Sequence, residues 1–452
     1  MAGPEPRPDR RRRRAALPRR PRSGPGSLVG TEYEVEVGVV AHGGICVARH
    51  EGRVIFVRHA LPGERVRARV TEGMPGDRFL RADAIEVLTP SPDRVEPPCR
   101  YAGPGRCGGC DWQHATLAAQ RKLKAAVLAE QLRRLAHLDL DPVVEAVPGA
   151  EDGSGWRTRV RFAVDRAGRL GLRKSRSHEV VTITECFIAH PAVNGSGVLE
   201  AIWSETAEVA VTAAGSGERA VLIRPSGPPA HGRAARPRMD PLLDTDVELM
   251  PDVPAGVSAT ERVVERVGGR VYAVPAGGFW QVHPAAASTL TEAVAEALVP
   301  RPGEALLDLY AGSGLFAGVL AATVAPGGTV VAVEGDAAAV AAARDNLDGM
   351  PGVTVIADRV DHALAVGVGP ADLVVLDPPR TGAGRVVVEA IAALRPRRVV
   401  YVACDPAALA RDIAIFAETG YALSGLRAFD LFPHTHHLEA VATLEPAVPS
   451  GT

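Results

Sequence analysis

Leu306-Leu-Asp-Leu-Tyr-Ala-Gly-Ser-Gly314 is an apolar strand that runs into a glycine turn and opens a helix. Glycines at such a turn let a ligand approach the backbone, and the helix N-terminus adds hydrogen-bond donors. Glu334 follows Gly314 by twenty residues and ends the next apolar run, where an acid can accept both hydroxyls of a ribose. NAD and S-adenosylmethionine both present a ribose, and the plain alternative is a tight turn in any α/β sheet.

Around this stretch, apolar runs alternate with helical stretches from about residue 284 onward. This alternation predicts a series of βαβ units with a parallel sheet. Two final runs, near 421–431 and 438–444, have no long helix between them, so we expect them to pair antiparallel at one edge. The predicted parallel strands lie at 305–309, 330–333, 353–356, 373–376 and 399–402.

Two more motifs end at the same predicted sheet edge. Leu373-Val-Val-Leu-Asp377-Pro-Pro-Arg380 places an acid after the fourth strand, and Val399-Val-Tyr-Val-Ala-Cys404 places a thiol after the fifth. Because a helix N-terminus favours a thiolate, we expect a lowered pKa for Cys404. The alternative is a small buried hydrophobic residue. The position at the ligand crevice favours a nucleophile.

The last candidate group lies within Asp430-Leu-Phe-Pro-His434-Thr-His-His-Leu-Glu439. His434, His436, His437 and Glu439 offer metal ligands, but so short a turn supplies no evident ligand geometry. An acid that enters the final strand beside a nucleophilic cysteine is better interpreted as a base.

The total charge conceals a basic start. The 452 residues hold 51 Lys+Arg and 53 Asp+Glu, a net charge of −2, yet residues 1–25 hold nine arginines against Glu5 and Asp9. Such an arm is typical of a nucleic-acid tail, although charge alone favours a solvated, unstructured leader. An apolar fraction of 46% excludes a wholly disordered chain and a collagen-like repeat.

Four of the six cysteines are spaced like metal ligands: Cys99, Cys107, Cys110 and Cys186. We expect no secretory leader and a cytoplasmic protein, in which clustered cysteines favour metal binding or catalysis over disulfides. Four cysteines bind either zinc or an iron–sulfur cluster, and their spacing alone favours zinc. Cys46 has no evident partner and is predicted to serve packing. No stretch predicts a membrane span.

The chain divides into four predicted parts. Residues 1–27 are a disordered basic arm. Short strands with Gly/Pro turns predict a small β-barrel over 28–90. Residues 91–275 form a mixed α+β central domain that carries the four cysteines, and its stretch 205–265 indicates no function. Residues 276–446 form the α/β, Rossmann-like domain.

Together these motifs resemble the RNA 5-methyluridine (uracil-C5) methyltransferase family of the RumA/TrmA type, over about 26–445. Phe279-Trp-Gln281-Val-His-Pro is similar to a family stretch whose Gln contacts the methyl donor. The segment 401–412 resembles the one that carries the family's nucleophile, and 432–439 the one that carries its base. Gly43-Gly-Ile-Cys-Val-Ala-Arg49 and the strands around it resemble a TRAM domain, an OB-like RNA-binding barrel.

The resemblance implies a class I methyltransferase that uses S-adenosylmethionine to methylate uracil C5 in RNA. It implies a covalent adduct between Cys404 and uracil C6, with Glu439 as the base that removes the C5 proton. It implies that five residues bind the methyl donor: Gln281, Tyr310, Gly312, Glu334 and Asp377.

The resemblance also shifts the metal prediction to a [4Fe–4S] cluster on the four cysteines, with zinc as the alternative. The barrel and the cysteines together favour 23S ribosomal RNA over tRNA as substrate. A monomer without an obligate protein partner is expected. The alternative outside enzymes is an RNA-binding protein with a degenerate methyltransferase domain.

Candidate RNA contacts are arginines of the barrel and of the central domain. They are Arg49, Arg58, Arg65, Arg157, Arg159 and Arg161.

Three residues depart from the family pattern: His283 replaces Asn, Ala403 replaces Ser, and Asp405 stands where Asn is usual. A carboxylate beside a thiolate raises the pKa of the thiol unless the acid is turned away or paired, so Asp405 affects catalytic tuning.

Overall fold

The computed structural model describes residues 26–204, 206–226, 248–249 and 261–447. Nearly all of the predicted basic arm and much of 205–265 lie outside these residues. No helix in the described part of the chain is both long enough and apolar enough to cross a membrane.

The N-terminal part is a closed five-stranded barrel, as the short strands with Gly/Pro turns predicted. Successive side chains of a strand point to opposite faces, so every second residue of β4, from Val66 to Val70, is buried inside the barrel. Closure pairs β1 with both β2 and β4, and the strand order is β1-β2-β3-β5-β4. The strands are β1 (Glu32–Ala41), β2 (Ile45–His50), β3 (Arg53–Arg58), β4 (Arg65–Glu72) and β5 (Phe79–Thr89).

A long helix and an antiparallel sheet follow. The helix α1 (Leu117–Gln131) begins where the Thr116 side chain accepts a hydrogen bond from the amide of Ala119, and it continues as a π-helical turn, Leu132–Ala136. The six-stranded sheet has the order β12-β11-β10-β7-β8-β9, and β13 and β14 form a separate hairpin. The elements are β6 (Val144–Ala146), β7 (Arg159–Val164), β8 (Leu170–Arg173), β9 (Val180–Thr182), α2 (Pro191–Asn194), β10 (Thr206–Ala213), β11 (Arg219–Pro225), β12 (Glu248–Leu249), β13 (Arg262–Val267) and β14 (Arg270–Pro275).

The C-terminal part is an eight-stranded sheet with helices on its two faces, the predicted α/β architecture. Its order is β17-β16-β15-β18-β19-β21-β20-β6, parallel from β17 to β19. The elements are α3 (Ala286–Leu298), β15 (Ala305–Leu309), α4 (Leu315–Val324), β16 (Thr329–Glu334), α5 (Ala337–Asn346), β17 (Val353–Ala357), α6 (Val360–Val366), β18 (Leu373–Leu376), α7 (Gly384–Ala393), β19 (Arg398–Ala403), α8 (Pro406–Glu418), β20 (Tyr421–Asp430) and β21 (Glu439–Pro446).

The edge of this sheet differs from the prediction in one respect. Strands β20 and β21 do pair antiparallel, but β20 is covered by β6, which runs parallel to it. Leu128 and Leu132 of the preceding helix belong to the same apolar core as β18 and β19. The segment that precedes the antiparallel sheet therefore packs with the C-terminal sheet.

The strand order places a ligand crevice at the carboxyl ends of the parallel strands. The chain moves from β15 to β16 on one side and from β17 back to β18 on the other, so loops diverge beside β15. Open α/β sheets bind ligands at such a switch point. The glycine turn, Glu334, Asp377 and Cys404 all follow strands that end at this edge.

Candidate active site

A cavity of about 1630 Å³ lies between the barrel, the antiparallel sheet and the carboxyl edge of the C-terminal sheet. All seven residues predicted to serve catalysis or the methyl donor line it. They are Gln281, Tyr310, Gly312, Glu334, Asp377, Cys404 and Glu439.

Sheet register brings the candidate nucleophile and the candidate base together. Strands β19 and β21 are antiparallel neighbours in which Ala403 lies opposite Ala440. Cys404 follows Ala403 and Glu439 precedes Ala440, so the same register sets the thiol and the carboxyl side by side. Two residues that are 35 positions apart in sequence thus meet at one end of the cavity.

Burial governs the protonation of both groups. Desolvation, followed by the charges of Glu439 and Asp377, raises the pKa of Cys404 to about 12, while Arg380 opposes the shift. The expected lowering of this thiol's pKa by the helix N-terminus is therefore wrong, because burial among acids outweighs the helix end. Desolvation and then the Asp377 charge also raise the pKa of Glu439 well above its usual range.

Asp377, at the end of β18, is the acid between these groups and the glycine turn. Burial raises its pKa to about 7. Asp308, on β15, is fully buried, and desolvation raises its pKa to about 8. Its Oδ2 accepts a hydrogen bond of 2.8 Å from the amide of Ala317, which ties β15 to the first turn of α4.

The acid expected to bind a ribose is fixed beside the glycine turn. Glu334 Oε2 accepts a hydrogen bond of 2.8 Å from the amide of Gly312, and Oε1 accepts bonds from the amides of Gly335 and Asp336. Gly312 has a φ of 56°, in the left-handed region that glycine tolerates. The neighbouring Tyr310 also has positive φ, which turns its side chain into the cavity.

Gln281 is buried and lines the cavity from the loop after β14. That loop is held by Arg159, whose Nη1 donates to the carbonyls of Ala276 and Gly278 at 3.1 and 2.9 Å. Arg159 is thus a clamp on the loop that presents Gln281, a role that the sequence did not indicate.

His283 and Asp405, the two polar departures from the family pattern, both have structural partners. His283 is buried, its Nδ1 accepts from the amide of Ala285, and its ring stacks on Trp156 with centroids 6.3 Å apart. Asp405 accepts hydrogen bonds from the Ala408 amide and from His42 of the barrel. Burial raises the pKa of Asp405, but these bonds outweigh it and the net pKa is lowered.

Of the three histidines before Glu439, two contact residues from other segments and the third packs within the loop. His434 lies 3.1 Å from Gln120 Nε2 through its Nδ1, and His436 lies 2.6 Å from Asp111 Oδ2. The His437 ring packs on His436 with centroids 4.1 Å apart. These contacts give the histidines a structural role, because they hold the loop that leads to Glu439.

The four clustered cysteines lie near one another but not as a formed metal site. Burial and then the Cys186 and Cys99 thiols raise the pKa of Cys107 to about 11, and Cys110 is affected in the same direction by Cys186 and Cys107. Within the described residues, no group of three or more His, Cys, Asp or Glu side chains could hold a metal ion as placed. The metal cluster therefore stays a prediction.

Cys46 lies apart from this cluster, as predicted. It is buried in the barrel core, and its Sγ lies 3.4 Å from the Ala60 carbonyl.

The arginines predicted to contact RNA separate into two groups. Arg58, Arg157, Arg159 and Arg161 line the cavity, whereas Arg49 and Arg65 do not. Arg65 instead pairs with Glu34 on the barrel surface, at 2.8 Å.

Comparison with known protein families identifies a match near each end of the chain. Residues 26–85 match the TRAM domain, and residues 370–446 match the family described as tRNA (Uracil-5-)-methyltransferase. An uncharacterised RNA methyltransferase of Streptomyces avermitilis is 51% identical over 436 residues, which cover 93% of this chain and 99% of the relative.

Two further similarities cover most of the chain. The 23S rRNA (uracil(1939)-C(5))-methyltransferase RlmD of Shewanella sp. ANA-3 is 34% identical over 90% of this chain and 94% of its own length. The solved structure of Pyrococcus abyssi tRNA (uracil-54, C5)-methyltransferase with S-adenosyl-L-homocysteine is 23% identical, with a TM-score of 0.64. It covers 90% of this chain and 99% of that one. That structure shows the same fold.

Proposed function

Because this chain belongs to the TRAM-containing family of S-adenosylmethionine-dependent RNA uracil-5-methyltransferases, we propose that it methylates uracil C5 through a covalent adduct with Cys404. The observation that carries the proposal is the register of β19 and β21, which sets Cys404 beside Glu439 in the cavity. A thiol and a carboxyl side by side are the two groups that this chemistry needs.

The chemistry follows from the electron-poor uracil ring, in which C5 is a weak nucleophile. Addition of the Cys404 sulfur to C6 forms an S–C6 bond and moves the ring electrons to an enolate, which makes C5 nucleophilic. S-adenosylmethionine, when bound, would supply the methyl group: C5 forms a bond to that carbon, the methyl–sulfur bond breaks, and S-adenosylhomocysteine is the leaving group. Glu439 then accepts the C5 proton, the C5–C6 double bond forms again, and the sulfur leaves as thiolate.

The protonation states of the free protein suit this sequence. Since the pKa of Cys404 is about 12, the resting group is a thiol, and its addition to C6 is coupled to loss of a proton. Asp377, with a pKa of about 7, lies close enough for its charge to act on Cys404 and is a suitable proton acceptor. Burial and the Asp377 charge favour the protonated form of Glu439 in the free protein, so this carboxyl must lose its proton before it accepts the one from C5; once ionised, it is a stronger base than an exposed carboxylate.

The donor site proposed from these residues follows the carboxyl edge of the sheet. Glu334 would accept the ribose hydroxyls beside the glycine turn, while Tyr310 and Gln281 line the adjacent cavity walls. Asp377 lies towards Cys404 and Glu439, at the end of the cavity where the methyl group would be transferred.

RNA would enter between the barrel and the antiparallel sheet. Arg58, Arg157 and Arg161 line the cavity on the side of the barrel and the antiparallel sheet. Guanidinium groups bind phosphates, and a uridine must leave its stack to reach Cys404. We infer 23S ribosomal RNA as the substrate because RlmD, a full-length relative, is named for it; tRNA is the alternative, since one protein of the same fold is named for tRNA.

We further infer that Cys99, Cys107, Cys110 and Cys186 bind a [4Fe–4S] cluster, with zinc as the alternative. Four thiols within electrostatic reach of one another support it. So do two N–H···S contacts: the Gly109 amide donates to Cys107 Sγ at 3.4 Å, and Gln113 Nε2 lies 3.2 Å from Cys110 Sγ. These ligands would join the loop before α1 to the antiparallel sheet. A cytoplasmic monomer stays a prediction.

Release of tritium from RNA labelled at uracil C5 tests the proposed function. Methylation at C5 must expel that tritium into water, whereas RNA labelled at C6 must keep it. We expect release from 23S ribosomal RNA with S-adenosylmethionine, and little from tRNA. Methyl transfer without release would indicate another target atom. If the protein neither transfers methyl groups nor binds the donor by calorimetry, the domain is degenerate.

A further inference from the structure

The β1–β2 turn of the barrel, residues 41–44, lies against the loop that carries Cys404. His42 Nε2 lies 3.1 Å from Asp405 Oδ2, and the two side chains are 42% and 26% exposed. A small cavity of about 130 Å³ separates the turn from the loop, and His42, Arg380, Cys404 and Asp405 all line it. A barrel residue and the candidate nucleophile therefore line one small cavity.

The position of this turn is fixed by close packing. The Gly44 carbonyl accepts a hydrogen bond of 2.9 Å from Trp112 Nε1. A Cβ built on Gly44 would lie 2.5 Å from the Cβ of His436, and its φ is +75°, so only glycine fits this approach. The barrel turn is thus held against the catalytic loop by backbone contacts that do not involve His42.

From these contacts we propose that His42 is a positioning residue for the Cys404 nucleophile, acting through Asp405. The inference rests on the proposed function. Asp405 Oδ1 accepts from the amide of Ala408 at 2.8 Å, and Oδ2 faces His42, so the carboxylate is fixed at both oxygens. The imidazolium of His42 neutralises a carboxylate that stands next to the nucleophile in sequence, where the family has a neutral Asn.

Neutralisation of Asp405 affects Cys404 because other acids also surround this thiol. Glu439, Asp377 and Asp405 all disfavour the thiolate, and Arg380 favours it. His436 and His437 also line the small cavity. Burial lowers the pKa of His437 to about 3, so that ring is neutral at pH 7. Arg380 thus opposes these acids directly, and His42 acts on the one acid that it contacts, Asp405.

The pH range of the effect follows from the pair itself. The hydrogen bond with Asp405, which outweighs the opposing desolvation, raises the pKa of His42 above its usual value. His42 therefore keeps its proton to a higher pH than a free imidazole does, and it loses its charge as the pH rises through this raised pKa. Removal of the imidazole should slow Cys404 most near neutral pH and least in alkali.

The rate at which iodoacetamide alkylates Cys404 measures the effect of His42 on the thiol, without RNA or methyl donor. The thiolate forms an S–C bond, iodide leaves, and the thiol proton passes to solvent. Peptide mass spectrometry of the full chain follows Cys404 from pH 6 to pH 10, and buried Cys46 in the same sample reports any loss of folding. At pH 7 we expect His42→Ala to slow Cys404 about three- to tenfold, the effect of roughly half to one pKa unit.

Companion variants separate the charge from the side chain. His42→Ala combined with Asp405→Asn should restore the rate to within about twofold of the native protein, because the uncompensated acid is gone. His42→Arg should keep the native rate and extend it above the pH at which histidine loses its proton. The control is His362→Ala, which removes a surface His–Asp pair that does not line the cavities.

Methylation assays on the same variants complete the test. We expect kcat to follow the alkylation rates, with little change in KM for RNA. If His42→Ala alkylates at the native rate, or if the double variant is as slow as His42→Ala, the inference is overturned. Native protein that shows no methyl transfer overturns the proposed function instead, while the alkylation rates still decide the role of His42.

Discussion

Lys124 Nζ lies 2.5 Å from Asp430 Oδ1 and 2.9 Å from the Phe432 carbonyl, and the ion pair is buried. Lys124 is on α1, and Asp430 ends β20, directly before the loop that leads to Glu439. The pair therefore anchors one end of the segment that presents the candidate base. Burial lowers the pKa of Lys124, opposed by the Asp430 charge.

Lys124→Met should destabilise the protein by about 3–5 kcal/mol, because it leaves Asp430 buried without a counter-charge. Adding Asp430→Asn should recover part of this loss. The free energy of unfolding in urea measures both variants. Lys122→Met, two residues away on the exposed face of α1, is the control and should be neutral. Equal stability of Lys124→Met and the native protein would show that the Lys124–Asp430 pair does not anchor this segment.

Glu439→Gln should separate the two halves of the reaction. The amide cannot accept the C5 proton, so we expect methylated RNA to remain bonded to Cys404 and turnover to fall about 10²- to 10⁴-fold. Denaturing gels with labelled RNA detect the retained adduct. Glu445→Gln, further along β21 and paired with Arg398, is the matched control. Full turnover by Glu439→Gln would assign the base elsewhere.

Metal analysis after anaerobic purification decides the four-cysteine proposal. We expect a brown protein with iron and sulfide, and loss of both in Cys110→Ser. Cys46→Ser is the control, because Cys46 lies in the barrel core. Stoichiometric zinc in a colourless protein would support the alternative metal. Absence of both metals from the native protein would contradict any metal role for these cysteines.

His283 makes stability depend on acid pH. Burial lowers its pKa from 6.5 to about 4, so between those values the unfolded chain binds a proton that the folded chain does not. Its contribution is thus present above about pH 6.5 and is lost as the pH falls to about 4. Between pH 7 and pH 5, we expect His283→Asn to lose about 1–2 kcal/mol less unfolding free energy than the native protein.

The control for this measurement is His178→Asn, at an exposed position. It should show the native pH dependence. An unchanged pH dependence in His283→Asn would mean that folding does not shift the pKa of His283.

Much of the fold was predictable because local patterns decide it. Short strands with Gly/Pro turns predicted the barrel, and the alternation of apolar runs with helical stretches predicted the βαβ units and the parallel sheet. Cys404 and Glu439 were identified as partners because one follows a strand and the other enters the final strand, each within a recognisable motif.

Contacts between distant segments were not predictable. The pairs His42–Asp405 and Lys124–Asp430 join residues more than 300 positions apart, and nothing in either local sequence indicates its partner. The pKa of Cys404 was mispredicted for the same reason: the helix end is local, whereas the burial and the acids that outweigh it come from other elements.

The most direct test of the central claim is trapping with RNA that contains 5-fluorouridine. Fluorine at C5 cannot be removed as a proton, so the adduct should persist after methyl transfer. With S-adenosylmethionine, we predict a protein–RNA complex that survives denaturation, with the RNA attached to the peptide that contains Cys404, and none with Cys404→Ala. A complex that forms equally in Cys404→Ala, or one attached at another residue, would contradict the account.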